Sequence, residues 1–201
     1  MKKVFLATIM SFTASASFAS GPVVVSEPPM VQVPVYAAAP DWSGVYGGVY
    51  HGRASGEMFD IGGPYDLDSG SNFTGLFLGY RHDMGDYVVG GEISSTVAMN
   101  MQQAAFPTWE FERMTDIRAT VGRDFGRTLV YVAGGYTTST FSPGGGSTTY
   151  NGWNLGIGLD YRVTDRFFVG VEYVHRDLSR SDLATWTGEF GTVQIRAGFQ
   201  F

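Results

Sequence analysis

The sequence predicts an all-β chain, an eight-stranded antiparallel up-and-down transmembrane β-barrel, and three observations carry that prediction. Apolar and polar residues alternate at period two through eight segments of about a dozen residues each. The links between segments alternate between tight turns and longer polar stretches. No later stretch offers the roughly 18 consecutive apolar residues of a membrane helix, so a chain that faces lipid must do so as a closed barrel.

The first forty residues stand apart. Met1 to Ala19 has a basic start at Lys2 and Lys3, a short apolar run and a small-x-small end at Ser17-Phe18-Ala19, the pattern of a secretory signal peptide. Ser20 to Pro40 holds five of the eight prolines and reads as a flexible, extended leader. Both lysines lie in the signal peptide, so the exported chain keeps 11 arginines (13 − 2) against 19 Asp and Glu, a formal charge of 11 − 19 = −8. That acidity, without a basic patch, argues against nucleic-acid binding. The absence of cysteine rules out a disulfide framework and any thiolate metal site.

The barrel is expected over 41–201, with strands at Trp42 to Ala54, Gly70 to His82, Asp86 to Met99, Trp109 to Arg123, Thr128 to Phe141, Thr149 to Arg162, Arg166 to Ser179 and Gly188 to Phe201. Asp83-Met84-Gly85-Asp86, Asp124-Phe125-Gly126-Arg127 and Val163-Thr164-Asp165-Arg166 are the tight turns. The longer links, Ser55 to Ser69, Asn100 to Thr108, Ser142 to Ser147 and Arg180 to Thr187, hold the remaining prolines Pro64, Pro107 and Pro143. Short turns on one rim and long loops on the other fit a barrel of the outer membrane, with both ends of the barrel on the periplasmic side.

Parity decides which face meets oil. In Trp153 to Arg162, Trp153, Leu155, Ile157, Leu159 and Tyr161 alternate with Asn154, Gly156, Gly158, Asp160 and Arg162. A soluble lipocalin-like barrel would present a long, charged, solvated outer face; here the polar face is rich in glycine with isolated charges, as a crowded lumen requires. Glu92 lies six residues past Asp86, Arg118 six before Asp124, Glu172 six past Arg166 and Arg196 five before Phe201. The four charges are therefore expected at one depth, as a plug pairing Glu92 with Arg118 and Glu172 with Arg196, since an unpaired buried ion costs several kcal/mol. Gly48, Gly75, Gly79, Gly134, Gly156 and Gly158 would leave room around it. The alternative is a wet channel in which each charge is hydrated separately. Trp42, Tyr80, Tyr87, Phe125, Tyr161, Phe167 and Phe201 fall at the short-turn ends, where an interfacial aromatic girdle belongs.

Asp41-Trp42-Ser43-Gly44-Val45-Tyr46-Gly47-Gly48 resembles the opening strand of the porin-like, OmpA-type eight-stranded outer-membrane proteins of the alphaproteobacterial surface-antigen and opacity-protein kind. Val89-Gly90-Gly91-Glu92, Asp116 to Gly122, Val171-Glu172-Tyr173 and the final Phe201 resemble that family's third, fourth, seventh and last strands. The resemblance implies the outer membrane of a Gram-negative bacterium and contact with outer-membrane lipid and lipopolysaccharide. It further implies handling by periplasmic chaperones, insertion by the barrel-assembly machinery with Phe201 as its signal, and structural, surface-antigen or minor-channel roles. No peptidoglycan-binding domain is expected after the barrel.

Other chemistry finds little support in the residues. His175, Asp177 and Ser179 share one strand face and would suit a lipid A-modifying acyl hydrolase, but alternate strand residues stand about 7 Å apart, beyond direct hydrogen bonding. His51, His82 and His175 fall at different depths and indicate no metal site, and Gly144-Gly145-Gly146 lacks the Lys and Ser/Thr of a phosphate loop. No cofactor is implied. Acidic Glu57, Asp60, Asp66 and Asp68 read as solvated loop charge, with cation bridging to lipopolysaccharide as the alternative. The expected function is a structural and surface barrel with a narrow lumen, at most a minor channel; a small-solute porin, the hydrolase and a soluble ligand-binding barrel are the alternatives. Deleting Phe201 is expected to lower insertion yield more than the unfolding midpoint of barrels already folded; equal insertion of the truncated chain would refute the assembly signal.

Overall fold

In the computed structural model the described residues are 41–60, 63–67, 69–101, 109–143, 147–180 and 187–201. The signal peptide, the leader and the Gly144–Gly146 loop tip lie outside them. The described strands are β1 (Gly44–Asp60), β2 (Gly63–Asp66), β3 (Asn72–Asp83), β4 (Tyr87–Asn100), β5 (Trp109–Asp124), β6 (Thr128–Pro143), β7 (Thr148–Arg162), β8 (Phe167–Arg180) and β9 (Thr187–Gln200). All neighbours pair antiparallel, and β1 pairs with both β3 and β9, so eight strands close into a barrel with β2 appended to β1.

Register fixes the barrel's shape. Following Cα partners from Gly48 through Phe77, Ser94, Asp116, Thr137, Gly152, Leu178 and Gly188 returns to β1 at Met58, a shear of 58 − 48 = 10. Eight strands with this shear tilt by roughly 40° and enclose a lumen just wide enough for side chains. The short turns end the strands on one rim. Gly85 and Gly126 take φ of 97° and 75°, the left-handed region that glycine enters without strain. In the third short turn, the Phe167 amide instead donates to Thr164 Oγ1 at 3.0 Å.

One expected link is partly strand. Ser55 to Ser69 contains the outer end of β1 and all of β2, because β1 continues pairing with β9 as far as Phe59↔Thr187 while β2 folds back on it. The outward residues of β1 past Val49 are polar, His51, Arg53, Ser55 and Glu57, so hydrogen-bond pairing and not a hydrophobic face makes the extension a strand. Pro64 sits in β2, which pairs only with β1, and an edge strand tolerates a residue without an amide hydrogen.

Parity holds around the barrel. Leu78, Ile93, Ile117, Leu155, Val171 and Ile195 point outward, with Leu78 54 % and Ile195 62 % exposed, while the opposite face of each strand is buried. An apolar exterior of this extent excludes the water-soluble ligand-binding barrel and requires lipid. Gly134 is on this outer face, a correction to its expected place in the lumen: β6 carries its odd residues inward, so Gly135 is the interior glycine.

The interior glycines are not empty space. Gly48, Gly52, Gly75, Gly79, Gly158 and Gly198 each face an aromatic register partner, respectively Phe77, Phe73, Tyr50, Tyr46, Tyr131 and Phe168. Each ring leans over its glycine; a Cβ on Gly52 would lie 2.7 Å from Phe73 Cζ and one on Gly79 2.5 Å from Tyr46 Cζ. A small residue on one strand thus receives the ring of the next, which pins register as well as filling volume. Gly158→Ala is expected to destabilise the barrel by about 1–3 kcal/mol through overpacking against Tyr131, and combined with Tyr131→Leu it should cost less than the sum of the two single losses, measured by denaturant unfolding. Gly134→Ala, whose new Cβ meets nothing closer than 3.7 Å, is expected to leave the unfolding midpoint unchanged.

Candidate functional site

The lumen is the candidate site, and strand geometry brings its charges together. Glu92 on β4 and Arg118 on β5 are direct register partners, whereas Arg196 on β9 pairs with Gly170 and stands diagonal to Glu172 on β8. In the closed order, β4 and β5 lie across the lumen from β8 and β9, so residues at matching depth face one another. Their long side chains meet in the middle.

The four form a ring. Arg118 donates to Glu92 Oε1 at 2.5 Å and to Glu172 Oε1 at 2.7 Å, and Arg196 donates to Glu92 Oε2 at 2.5 Å and to Glu172 Oε2 at 3.3 Å. Both expected pairs are present, and two cross-lumen pairs, Arg118 with Glu172 and Arg196 with Glu92, join them. Neutral donors complete the carboxylates: Tyr46 Oη donates to Glu92 at 3.0 Å and Gln194 Nε2 to Glu172 at 2.6 Å. Tyr131 Oη accepts from Arg196 at 2.9 Å, and the Arg196 guanidinium stacks 4.1 Å over the Phe77 ring.

Two further tiers, which the spacing of the four ring charges does not indicate, flank the ring. On the short-turn side, Arg81 bonds Asp160 at 2.6 Å. On the long-loop side, Arg176 bonds Asp116 at 2.6 Å; Thr137 donates to Asp116 at 2.7 Å, Asn154 donates to Thr137 at 2.8 Å, and Arg176 also donates to Thr192 at 2.8 Å. These eight ionic side chains, four Arg against four Asp and Glu, are all at most 3 % exposed. Parity was the available signal: Asp116 is two residues from Arg118 and Arg176 four from Glu172 on the same faces. Which partner each would find depended on how far β5 and β8 are staggered, which shear sets. Aromatic clusters line both ends, with Phe111, Phe141, Tyr150 and Phe190 toward the long loops and Trp42, Tyr46, Phe77 and Phe168 toward the short turns.

Tyr80, Tyr87, Phe125, Tyr161, Phe167 and Phe201 point outward at the short-turn rim. Phe201 is 75 % exposed and packs edge-on to Phe199, with its amide donating to Val45 O at 2.9 Å. Trp42 departs from the expected girdle: at 1 % exposure it points into the barrel, because it lies before β1, where the chain turns over the short-turn mouth and its indole nitrogen donates to Gly126 O at 3.1 Å. Nearby Asp41 lies at the rim, where the Ser43 amide and then the Ser43 hydroxyl hold its carboxyl below the ordinary value.

The outward row His175, Asp177 and Ser179 is not assembled as a nucleophile and base. Ser179 donates to Asn151 O at 3.4 Å, while His175 Nε2 lies 3.8 Å from Glu189 and its ring 5.3 Å from that of Trp153. His51 Nδ1 bonds Thr74 Oγ1 at 2.8 Å on the outer face of β1 and β3.

A model of the outer membrane protein beta-barrel domain matches residues 29–201. The chain belongs to that family. The outer-membrane barrel is 27 % identical over 244 residues to the 31 kDa outer-membrane immunogenic protein of Brucella melitensis, covering 100 % of both chains. It is 28 % identical over 208 residues to the 25 kDa outer-membrane immunogenic protein of Brucella canis, covering 97 % of this chain and 94 % of that one. The crystal structure of Neisserial surface protein A shares the fold, with a TM-score of 0.53 at 15 % identity over 79 % of this chain and 98 % of that one. The outer-membrane barrel is therefore an outer-membrane protein set in that membrane's lipid and lipopolysaccharide, with surface immunogens among its relatives.

Removing one ring carboxylate leaves two guanidinium groups sharing the other. Glu172→Gln is expected to cost about 3–5 kcal/mol in denaturant unfolding from vesicles. Adding Arg118→Gln, which restores neutrality, should recover part of that loss; a strictly additive double variant would show that the two side chains do not interact.

Proposed function

We propose that the protein is a structural and surface-displayed barrel whose lumen is held shut by an ion-paired plug, at most a minor channel. The observation that carries this reading is the ring in which each of Arg118 and Arg196 bridges both Glu92 and Glu172. A separately hydrated set of charges would keep water between its members, whereas these make direct bonds and are almost wholly inaccessible. A small-solute porin needs free cross-section, and eight strands with a shear of ten supply little. Acyl hydrolysis gains no support from a Ser179 hydroxyl bonded to Asn151 and a His175 that faces Glu189.

Display at the cell surface is supported by the relatives, described as outer-membrane immunogenic proteins, and by the long links gathered at one rim. Within this reading, periplasmic chaperones carry the exported chain, and the barrel-assembly machinery reads the outward Phe201 on the closing strand β9. Signal cleavage after Ala19 and a free leader to Pro40 belong to the same proposal.

Planar-bilayer recording tests the plug. The refolded protein is expected to stay closed apart from rare small events, and the neutral double variant Glu92→Gln with Arg118→Gln to open more often. Large steady openings of the unsubstituted protein would overturn the reading, as would a double variant no more active than the parent.

A further inference from the structure

The three residues before β1 do not simply lead into the barrel wall; they cross its periplasmic mouth. Trp42 Nε1 donates to Gly126 O at 3.1 Å, in the turn between β5 and β6. In the closed strand order β6 lies diametrically opposite β1, so the indole spans the opening from one wall to the other. The Arg162 guanidinium stacks 4.3 Å from the indole ring, Phe168 meets it edge-on at 6.3 Å, and Arg81 lies 5.6 Å away on the lumen side.

The backbone of the strap is fastened around the rim. Trp42 N donates to Asp83 Oδ2 at 3.1 Å, and the Asp83 amide donates to Ser43 Oγ at 3.0 Å. Asp41 O accepts from Arg162 at 2.9 Å and from Gln200 Nε2 at 3.2 Å, and Gln200 Nε2 also donates to Ser43 O. Gly44, with φ 129°, then turns the chain from the strap into β1, a backbone conformation that a side chain would strain. These hydrogen-bond partners belong to the short-turn ends of β3, β7 and β9 and to the β5–β6 turn; none is a member of the Glu92–Arg118–Glu172–Arg196 ring.

The geometry points to a second closure: Trp42 is a removable stopper, seated in the periplasmic mouth by the Asp41–Ser43 strap and acting in series with the ion network. It deepens the closed-lumen reading and rests on it. Because the stopper and the ring share no hydrogen bond, the first can leave while the second stays intact. Arg81 is the group that registers the departure. Its guanidinium, now packed against Trp42, Tyr46, Tyr131 and Phe168, would meet water on the periplasmic side while keeping its bond to Asp160.

Single thiols test this in a chain that has no cysteine of its own. Leu129→Cys reports just above the stopper, three residues along from Gly126; Val174→Cys reports beyond the ring, and both parent side chains are buried. With Trp42 in place, both thiols are expected to resist a charged thiol reagent applied to the refolded protein. With Trp42→Ala, Leu129→Cys should react at least tenfold faster and Val174→Cys no faster, while Trp42→Phe, which keeps a ring but loses the bond to Gly126, falls between. A folded Trp42→Ala barrel, verified by its migration on unheated gels, in which Leu129→Cys stays as protected as before would overturn the stopper. Fast labelling of Val174→Cys with Trp42 present would instead overturn closure by the ion network, so the two failures are separable.

Discussion

A lumen just wide enough for side chains governs what this chain can put inside it. Eight strands with a shear of ten bring the inward side chains of opposite walls into contact, so a charge placed there loses most of its hydration and must be matched by another across the gap. Four Arg and four Asp or Glu meet that requirement in three tiers. The central tier meets it most completely, because each planar guanidinium offers two donor edges and reaches two carboxylates at once. Lysine, absent from the barrel, would place a single point charge where a fork is needed.

The same narrowness explains the pairing of glycines with rings. An aromatic side chain that enters a crowded lumen cannot extend toward the axis, where the ion tiers lie, and so it lies down against the neighbouring strand. Only a residue without a Cβ leaves room for it, which is why Tyr46 covers Gly79, Tyr50 covers Gly75 and Tyr131 covers Gly158. The two Tyr hydroxyls that reach the ring, on Tyr46 and Tyr131, then serve the charges as well. Packing and electrostatics are therefore solved by the same residues: moving a ring would both open a void and remove a hydrogen bond from a buried ion.

Much of the architecture was legible along the chain because a strand's two faces meet unlike surroundings. Period-two alternation, tight turns at Gly85 and Gly126 and the similar spacing of Glu92, Arg118, Glu172 and Arg196 from the short-turn rim each follow from local geometry. The outer end of β1 and the short β2 were not legible, since the outward residues of β1 past Val49 are polar and pairing alone makes the strand. The face of Gly134 is not legible either, because neighbouring Gly134 and Gly135 offer no hydropathy contrast to fix parity. Trp42 has the height of a girdle residue, but it lies before β1, and its bond to Gly126 O, which no local pattern announces, carries it inward.

The sequence by itself determined the class of barrel, its membrane, which face meets lipid and which charges share a depth, because these depend only on periodicity and on counting from the turns. Only the tertiary structure decided which charges pair across the lumen. Glu92 and Arg118 are neighbours on adjacent strands, but the bonds from Arg118 to Glu172, from Arg196 to Glu92 and from Arg176 to Asp116 cross the lumen. So does the bond from the Trp42 indole to Gly126. Such contacts are set by closure and shear, quantities that belong to the whole ring of strands and to no single one of them.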